Sequence, residues 1–140
     1  MANTITEKQK DDLFEAACKV RKLAHILPGN TYRGGSALLT KSGKIYTGCN
    51  IENAAHTATI CAERLAIFKA YSEEDRDIVA IMYVSEECGT ACGVCRQVIA
   101  ELAPNAALIF TDLQRKKEIV STINEMLPYS WSNPTLSESK

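Results

Sequence analysis

The sequence predicts a layered α/β domain whose sheet is mixed, and three observations carry that prediction. Short apolar runs alternate with longer segments of helical periodicity. Two early runs flank the turn-forming residues 41–44, which predicts an antiparallel hairpin. The later runs are separated by helical segments, which is typical of parallel strands joined by crossovers. A chain of 140 residues suits one domain, residues 1–140, with a polar, frayed tail from about residue 134.

Five strands are predicted from apolar runs that turn-forming residues bound. Residues 36–40 and 45–49 form the hairpin. Residues 78–84 are apolar throughout, which is typical of a strand buried on both faces. Residues 107–111 form the fourth strand, and residues 118–121 form a weak fifth one.

Four helices are predicted from apolar residues at helical spacing. The first spans residues 6–24, with Thr6 as a possible N-cap. The second and third span residues 59–71 and 93–102, and a proline follows the third. The fourth, over residues 122–127, is short and also ends before a proline.

The charge balance argues against a nucleic-acid partner. The chain carries 16 basic and 17 acidic residues, for a formal net charge of -1. Proteins that bind the phosphate backbone usually carry a basic excess. We therefore expect a small-molecule substrate and no nucleic acid.

The chain also shows no sequence feature of a membrane or secreted protein. No apolar run approaches the roughly 20 residues that span a bilayer, and residues 1–12 contain no apolar segment of signal-peptide type. We therefore expect a cytoplasmic protein. In that reducing compartment the six cysteines are better interpreted as metal ligands or catalytic thiols than as disulfides.

Three cysteines at the starts of two predicted helices form the strongest chemical signal. Cys61 lies near the start of the second helix, and Cys92 and Cys95 form a C-x-x-C pair at the start of the third. Such a pair alone is also typical of a redox dithiol. A catalytic zinc site takes three protein ligands and leaves one position for water. Because helix N-termini stabilise thiolates, we predict zinc bound by these three cysteines.

Glu63 distinguishes a catalytic site from a structural one. It lies two residues after Cys61 and need not bind the metal. A carboxylate there can take a proton from zinc-bound water and pass it to a substrate nitrogen. Alone, it could simply complement the helix dipole. A non-catalytic structural-zinc module is the alternative of another class, and Cys88 would be its fourth ligand.

Two arginines directly follow predicted ligands and could offset negative charge. Zinc with three thiolates carries a net charge near minus one, and outer-shell donors commonly tune such a centre. Arg64 is the first candidate and Arg96 the second. Either side chain could instead be a surface charge.

These motifs resemble the small, homotetrameric cytidine deaminases of pyrimidine salvage. The resemblance runs from about residue 24 to residue 136. Its closest passages are GCNIEN at 48–53 and ICAERLAI at 60–67, beside YRGGSALLT at 32–40 and CGVCRQV at 92–98. It implies a three-layer α/β/α cytidine-deaminase-like domain with a mixed five-stranded sheet, one Zn²⁺ per subunit and a homotetramer.

The resemblance also implies roles for individual residues. The three cysteines match the family's zinc ligands, and Glu63 matches its proton shuttle. Asn50 and Glu52 match the polar pair that holds the ribose 3′-hydroxyl, for which an amide and a carboxylate supply a donor and acceptors. His56, in a predicted loop over residues 50–59, stands where the family often has an aromatic residue that reaches a neighbouring subunit's site.

Four residues depart from the family pattern, and three of them bear on the substrate. Tyr32 replaces a phenylalanine, and Trp131 stands where a phenylalanine would help to cover the base. Gly34 replaces a valine, which we expect to remove bulk from the pocket edge. Ala91 replaces a proline before the ligand pair.

The activity that the resemblance implies is hydrolytic deamination of cytidine or 2′-deoxycytidine at C4, giving uridine or 2′-deoxyuridine and ammonia. A base-modified cytidine or blasticidin S stays open as the substrate, although the retained NIEN passage argues against the antibiotic. An editing deaminase of RNA or DNA would need a basic groove and aromatic platforms, for which the near-neutral charge leaves little room. The remaining cysteines, Cys18, Cys49 and Cys88, are assigned to core packing.

Overall fold

The structure is a computed structural model that describes residues 3–132, and its elements follow the predicted order. The strands are β1 (Gly35–Thr40), β2 (Ile45–Cys49), β3 (Ile78–Val84), β4 (Ala107–Thr111) and β5 (Glu118–Ser121). The helices are α1 (Glu7–Arg21), α2 (Ala62–Ser72), α3 (Gly93–Leu102) and α4 (Ile123–Met126). The predicted tail from residue 134 lies outside the described residues.

The five strands form one mixed sheet in the order β2-β1-β3-β4-β5. β1 pairs antiparallel with both β2 and β3, and β5 pairs antiparallel with β4. Only β3 and β4 are parallel neighbours, and α3 connects them. The mixed five-stranded sheet predicted from the sequence is therefore confirmed.

Helices cover both faces of this sheet and make three layers. On one face, Leu13 and Ala17 of α1 pack against alternate residues of β1, β3 and β4. On the other face, α2, α3 and α4 bury Ile67, Ile99 and Ile123 against the residues between them. Because both faces are covered, β3 is buried over most of its length, as its apolar sequence predicts.

One edge of the sheet collects the residues of interest. β2 and β3 both run antiparallel to β1, so β2, β3 and β4 point the same way. The segments that follow β2 and β3, residues 50–61 and 85–92, therefore emerge at the same edge and lead into α2 and α3. In open α/β sheets, ligands bind at this edge, beyond the carboxyl ends of the strands.

Two helices, α1 and α2, have one end about three residues inside its predicted position, and the two differences share one reason. Thr6 caps α1 in a reciprocal capping box with Gln9, as its position suggests. α1 nevertheless ends at Arg21, because the backbone of His25 hydrogen-bonds instead to Asn50 and Glu52. α2 starts at Ala62 rather than residue 59, because Ile60 pairs with Ile51 in an isolated bridge.

The segment between β2 and α2 also contains a short 3-10 helix, His56–Ala58, inside the predicted loop. Within residues 3–132, no helix combines the length and the hydropathy needed to cross a membrane.

Candidate active site

The starts of α2 and α3 bring the three predicted zinc ligands together. Cys61 is the N-cap of α2 and Cys92 the N-cap of α3, while Cys95 lies in the first turn of α3. Neither N-cap side chain bonds its own helix amides, so both thiols are available to face each other. The three sulfurs lie within 4.8 Å of one another, and we call this group the three-thiol cluster.

The cluster fits a tetrahedral zinc ion. Two thiolates bound to zinc at about 2.3 Å in tetrahedral geometry stand about 3.8 Å apart, and the Sγ atoms of Cys61 and Cys92 are separated by 3.7 Å. Among the residues that the structure describes, no further cysteine, histidine or carboxylate belongs to the group. One coordination position is thus left to a non-protein ligand, as catalytic zinc requires.

Cys88 is not part of this cluster. It is buried, and its thiol donates to the carbonyl oxygen of Phe110 at 3.5 Å. The alternative of a closed structural site with Cys88 as fourth ligand therefore finds no support in the structure.

The close approach of the sulfurs also shifts the pKa values of two of the thiols. Hydrogen bonds from Cys95 and from Arg64 lower the pKa of the Cys61 thiol, although burial opposes this shift. The same Cys61–Cys95 hydrogen bond, together with burial, raises the pKa of Cys95. Three adjacent thiols cannot all ionise alone, because each anion opposes the next. A divalent cation removes that conflict, as zinc does in thiolate sites.

Arg64 is the arginine that lies against the cluster. Its Nη2 is 3.7 Å from the Cys61 sulfur and 3.4 Å from the Thr59 carbonyl oxygen. Although burial opposes charge at Arg64, the hydrogen bonds to the Cys61 and Cys95 thiols raise its pKa. Arg96, the second candidate, directs its hydrogen bonds to Thr90, Ala91 and Met126 instead.

Glu63 lies in the first turn of α2 with its carboxyl beside the cluster. Only 3% of the residue is exposed, and its Oε2 is 3.9 Å from the Cys95 sulfur. Burial raises the pKa of Glu63 to about 7, against the effect of its own backbone amide. A carboxyl of that pKa can both accept and donate a proton near neutrality, which suits a general acid–base.

Asn50 and Glu52 follow β2 and are held by backbone groups on the same edge. The Asn50 amide oxygen accepts from the Gly34 amide at 2.8 Å, and its nitrogen donates to the Tyr32 carbonyl at 3.1 Å. Oε2 of Glu52 accepts from the Leu27 amide at 2.7 Å. That bond and one from Asn30 lower the pKa of Glu52. Both side chains therefore have fixed positions before any substrate arrives.

The expected loss of bulk at Gly34 is wrong, because Tyr83 fills the space. A Cβ on Gly34 would lie 2.3 Å from the hydroxyl oxygen of Tyr83, far inside van der Waals contact. Tyr83 is only 5% exposed, and its hydroxyl is hydrogen-bonded to the hydroxyl of Tyr32. Tyr83 lies in the apolar strand β3, where an aromatic residue is typical of the core, so nothing in the sequence marked it as a neighbour of the site.

The remaining predicted substrate contacts lie on the surface of the described chain. His56 is exposed at the start of the 3-10 helix. Trp131 is 68% exposed, and its carbonyl oxygen accepts a hydrogen bond from Gln97 at 3.0 Å. Neither residue belongs to the three-thiol cluster. Any contact that either side chain makes with a substrate therefore lies outside that cluster.

A layered α/β domain with an open three-thiol metal site and a buried carboxyl beside it defines a zinc-dependent hydrolytic enzyme. Comparison with known proteins then narrows this class. Residues 7–111 match the family model for the cytidine and deoxycytidylate deaminase zinc-binding region. This chain belongs to that deaminase family.

Individual relatives agree with the family match. A cytidine deaminase of Halalkalibacterium halodurans is 43% identical over 119 residues, which cover 83% of this chain and 89% of the relative. The crystal structure of cytidine deaminase from Burkholderia pseudomallei superposes with a TM-score of 0.81 at 36% identity, covering 91% of this chain and 100% of that one. A more distant relative is a blasticidin-S deaminase of Bacillus cereus, 29% identical over 92% of this chain and 97% of its own.

Proposed function

We propose that this protein deaminates cytidine and 2′-deoxycytidine by hydrolysis, giving uridine or 2′-deoxyuridine and ammonia. The observation that carries the proposal is the buried Glu63 carboxyl beside an open three-thiol cluster. Cys61, Cys92 and Cys95 would bind one zinc ion per chain. The names of the relatives support the nucleoside class of substrate.

Zinc, when bound, would supply a nucleophile by lowering the pKa of water toward about 7. Glu63 takes the proton from the attacking water and places it on N3 of the cytosine ring. Water oxygen adds to C4, which becomes tetrahedral. Glu63, again a carboxylate, then takes the proton of the new C4 hydroxyl and delivers it to the 4-amino group; the C4–N4 bond breaks as the C4 carbonyl forms, and ammonia leaves. A carboxyl that returns to its starting protonation state each cycle performs both transfers.

Neighbouring residues would hold the substrate and tune the cluster. Asn50 and Glu52 bind the ribose 3′-hydroxyl, because their fixed amide and carboxylate offer donor and acceptors together. Arg64 offsets the charge of the Cys61 thiolate. Tyr32, half exposed at the same edge, contacts the base.

The first measurement is the loss of cytidine absorbance with the zinc-loaded chain, beside 2′-deoxycytidine and an N4-methylated cytidine. We expect rapid turnover of the two plain nucleosides, and removal of zinc by a chelator should stop it. No reaction with any of the three compounds, in protein that holds one zinc ion per chain, would contradict the proposed function.

A related substrate is the second candidate, and the pocket edge motivates it. Tyr83 packed against Gly34 and bonded to Tyr32 makes this edge more polar than the family's usual phenylalanine and valine would. The likeness to a blasticidin-S deaminase points the same way. Turnover of the N4-methylated cytidine or of blasticidin S, without turnover of plain cytidine, would favour this candidate.

We further propose a homotetramer that serves pyrimidine salvage in the cytoplasm. Exposed His56 supports an assembly in which its side chain reaches a neighbouring subunit's site, and the exposed Trp131 side chain would help to cover the base. Light scattering should give a mass near four times the 15.4 kDa of one chain. A mass equal to one chain would contradict the tetramer and leave His56 without a role.

A further inference from the structure

Arg96 joins two segments that are distant in sequence. Its Nε donates to the Ala91 carbonyl at 2.7 Å, and its Nη2 donates to the Thr90 hydroxyl at 3.2 Å. Both acceptors directly precede Cys92. Its Nη1 donates at 2.8 Å to the carbonyl of Met126, the last residue of α4. The guanidinium thus binds the ligand loop and the end of α4 with one rigid group.

Gln97 continues the same connection one residue later. Its Nε2 donates to the Trp131 carbonyl at 3.0 Å and also to Glu101 at 3.0 Å. Arg96 and Gln97 therefore hold residue 126 at the end of α4 and residue 131 in the segment that follows it. The segment between them lies outside helix and strand; Met126 and Leu127 pack against the core at its start, and the bond from Gln97 holds its far end.

We propose that Arg96 and Gln97 are positioning residues that dock residues 126–131 on the ligand helix, so that filling the metal site orders Trp131. The consequence for catalysis rests on the proposed function, in which Trp131 helps to cover the base. A metal ion that fixes Cys92 and Cys95 also fixes the Ala91 carbonyl, and Arg96 transmits that order to Met126.

Trp131 reports on this docking directly because it is the only tryptophan in the chain. In the full-length wild-type protein we expect the fluorescence anisotropy of Trp131 to fall when a chelator removes zinc and to recover when Zn²⁺ returns. Gln97→Ala should keep one zinc ion per chain and show low anisotropy in both states. Its KM for cytidine should rise about fivefold, the equivalent of one ordinary hydrogen bond, with little change in kcat.

Arg96→Lys tests the other half of the connection. Lysine keeps the charge but cannot bind three acceptors in the same plane. We expect zinc to be released to a chelator about 10-fold faster, as for lost outer-shell groups, together with low anisotropy of Trp131.

Matched controls come from the turn after β4. Gln114→Ala changes an exposed side chain, and Arg115→Lys changes an arginine that pairs with Asp11 far from the cluster. Both controls should keep wild-type anisotropy and zinc release.

Equal anisotropy of the zinc-loaded and zinc-free wild type would overturn the proposal, and so would wild-type zinc release and anisotropy in Arg96→Lys. Neither readout needs turnover. Zinc-dependent anisotropy in a chain that does not deaminate cytidine would support the docking and remove the proposed function instead.

Discussion

Glu63→Gln should lower kcat for cytidine by at least about 10³-fold while zinc remains bound, because a positioned general acid–base contributes up to about 10⁴. The amide has nearly the size of the carboxyl but cannot accept a proton. Glu63 lies beside the cluster but is not one of the three proposed zinc ligands. One zinc ion per chain should therefore remain bound. The measurements are the kinetics of absorbance loss and the zinc content of the same preparation.

The stability of this variant separates a chemical loss from a folding defect. The Glu63 carboxyl is almost completely buried, and burial of a charged group is costly. We therefore expect the glutamine variant to unfold at an equal or higher denaturant concentration than the wild type. Glu15→Gln, the same change at an exposed position of α1 on the other face of the sheet, should alter neither activity nor stability. Retained turnover in Glu63→Gln would remove Glu63 from the mechanism.

The elements that the sequence predicted accurately are those that local pattern determines. The bounds of β3 and α3 agree with the apolar run and the helical run that predicted them. The cysteines could be grouped because N-cap positions of consecutive helices on one sheet edge converge, whatever the side-chain detail. A metal site built on helix N-termini could therefore be predicted from the sequence alone.

What the sequence could not predict depends on contacts between distant residues. The end of α1 and the start of α2 are both set by pairing with Ile51 and its neighbours. Gly34 is explained only by Tyr83, 49 positions later, whose ring occupies the space of a side chain. Arg96 follows a predicted ligand, yet α4 supplies its partner. Contacts between distant residues produce no periodic pattern in the sequence. Residue spacing alone therefore assigns these side chains to the wrong neighbours.

Serine substitutions at two buried cysteines should separate the metal site from the core. Cys95 is fully buried within the cluster, and Cys88 is also buried but bonds only to the Phe110 carbonyl. Loss of an outer-shell group commonly costs 10- to 100-fold in metal affinity, so loss of a direct ligand should exceed about 100-fold. We expect Cys95→Ser to be isolated without zinc and without activity, and Cys88→Ser to keep both.

Thermal unfolding then distinguishes lost binding from lost structure. A metal that binds only the folded chain stabilises it by mass action, so a chelator should lower the Tm of the wild type and of Cys88→Ser but not that of Cys95→Ser. Cys92→Ser is the control for misfolding caused by substitution at a buried position. Cys92 is an exposed N-cap, where serine is itself favourable. This variant should fold and still lack zinc. One bound zinc ion in either Cys92→Ser or Cys95→Ser at wild-type affinity, or a loss of zinc in Cys88→Ser, would mean that the three-thiol cluster is not the metal site.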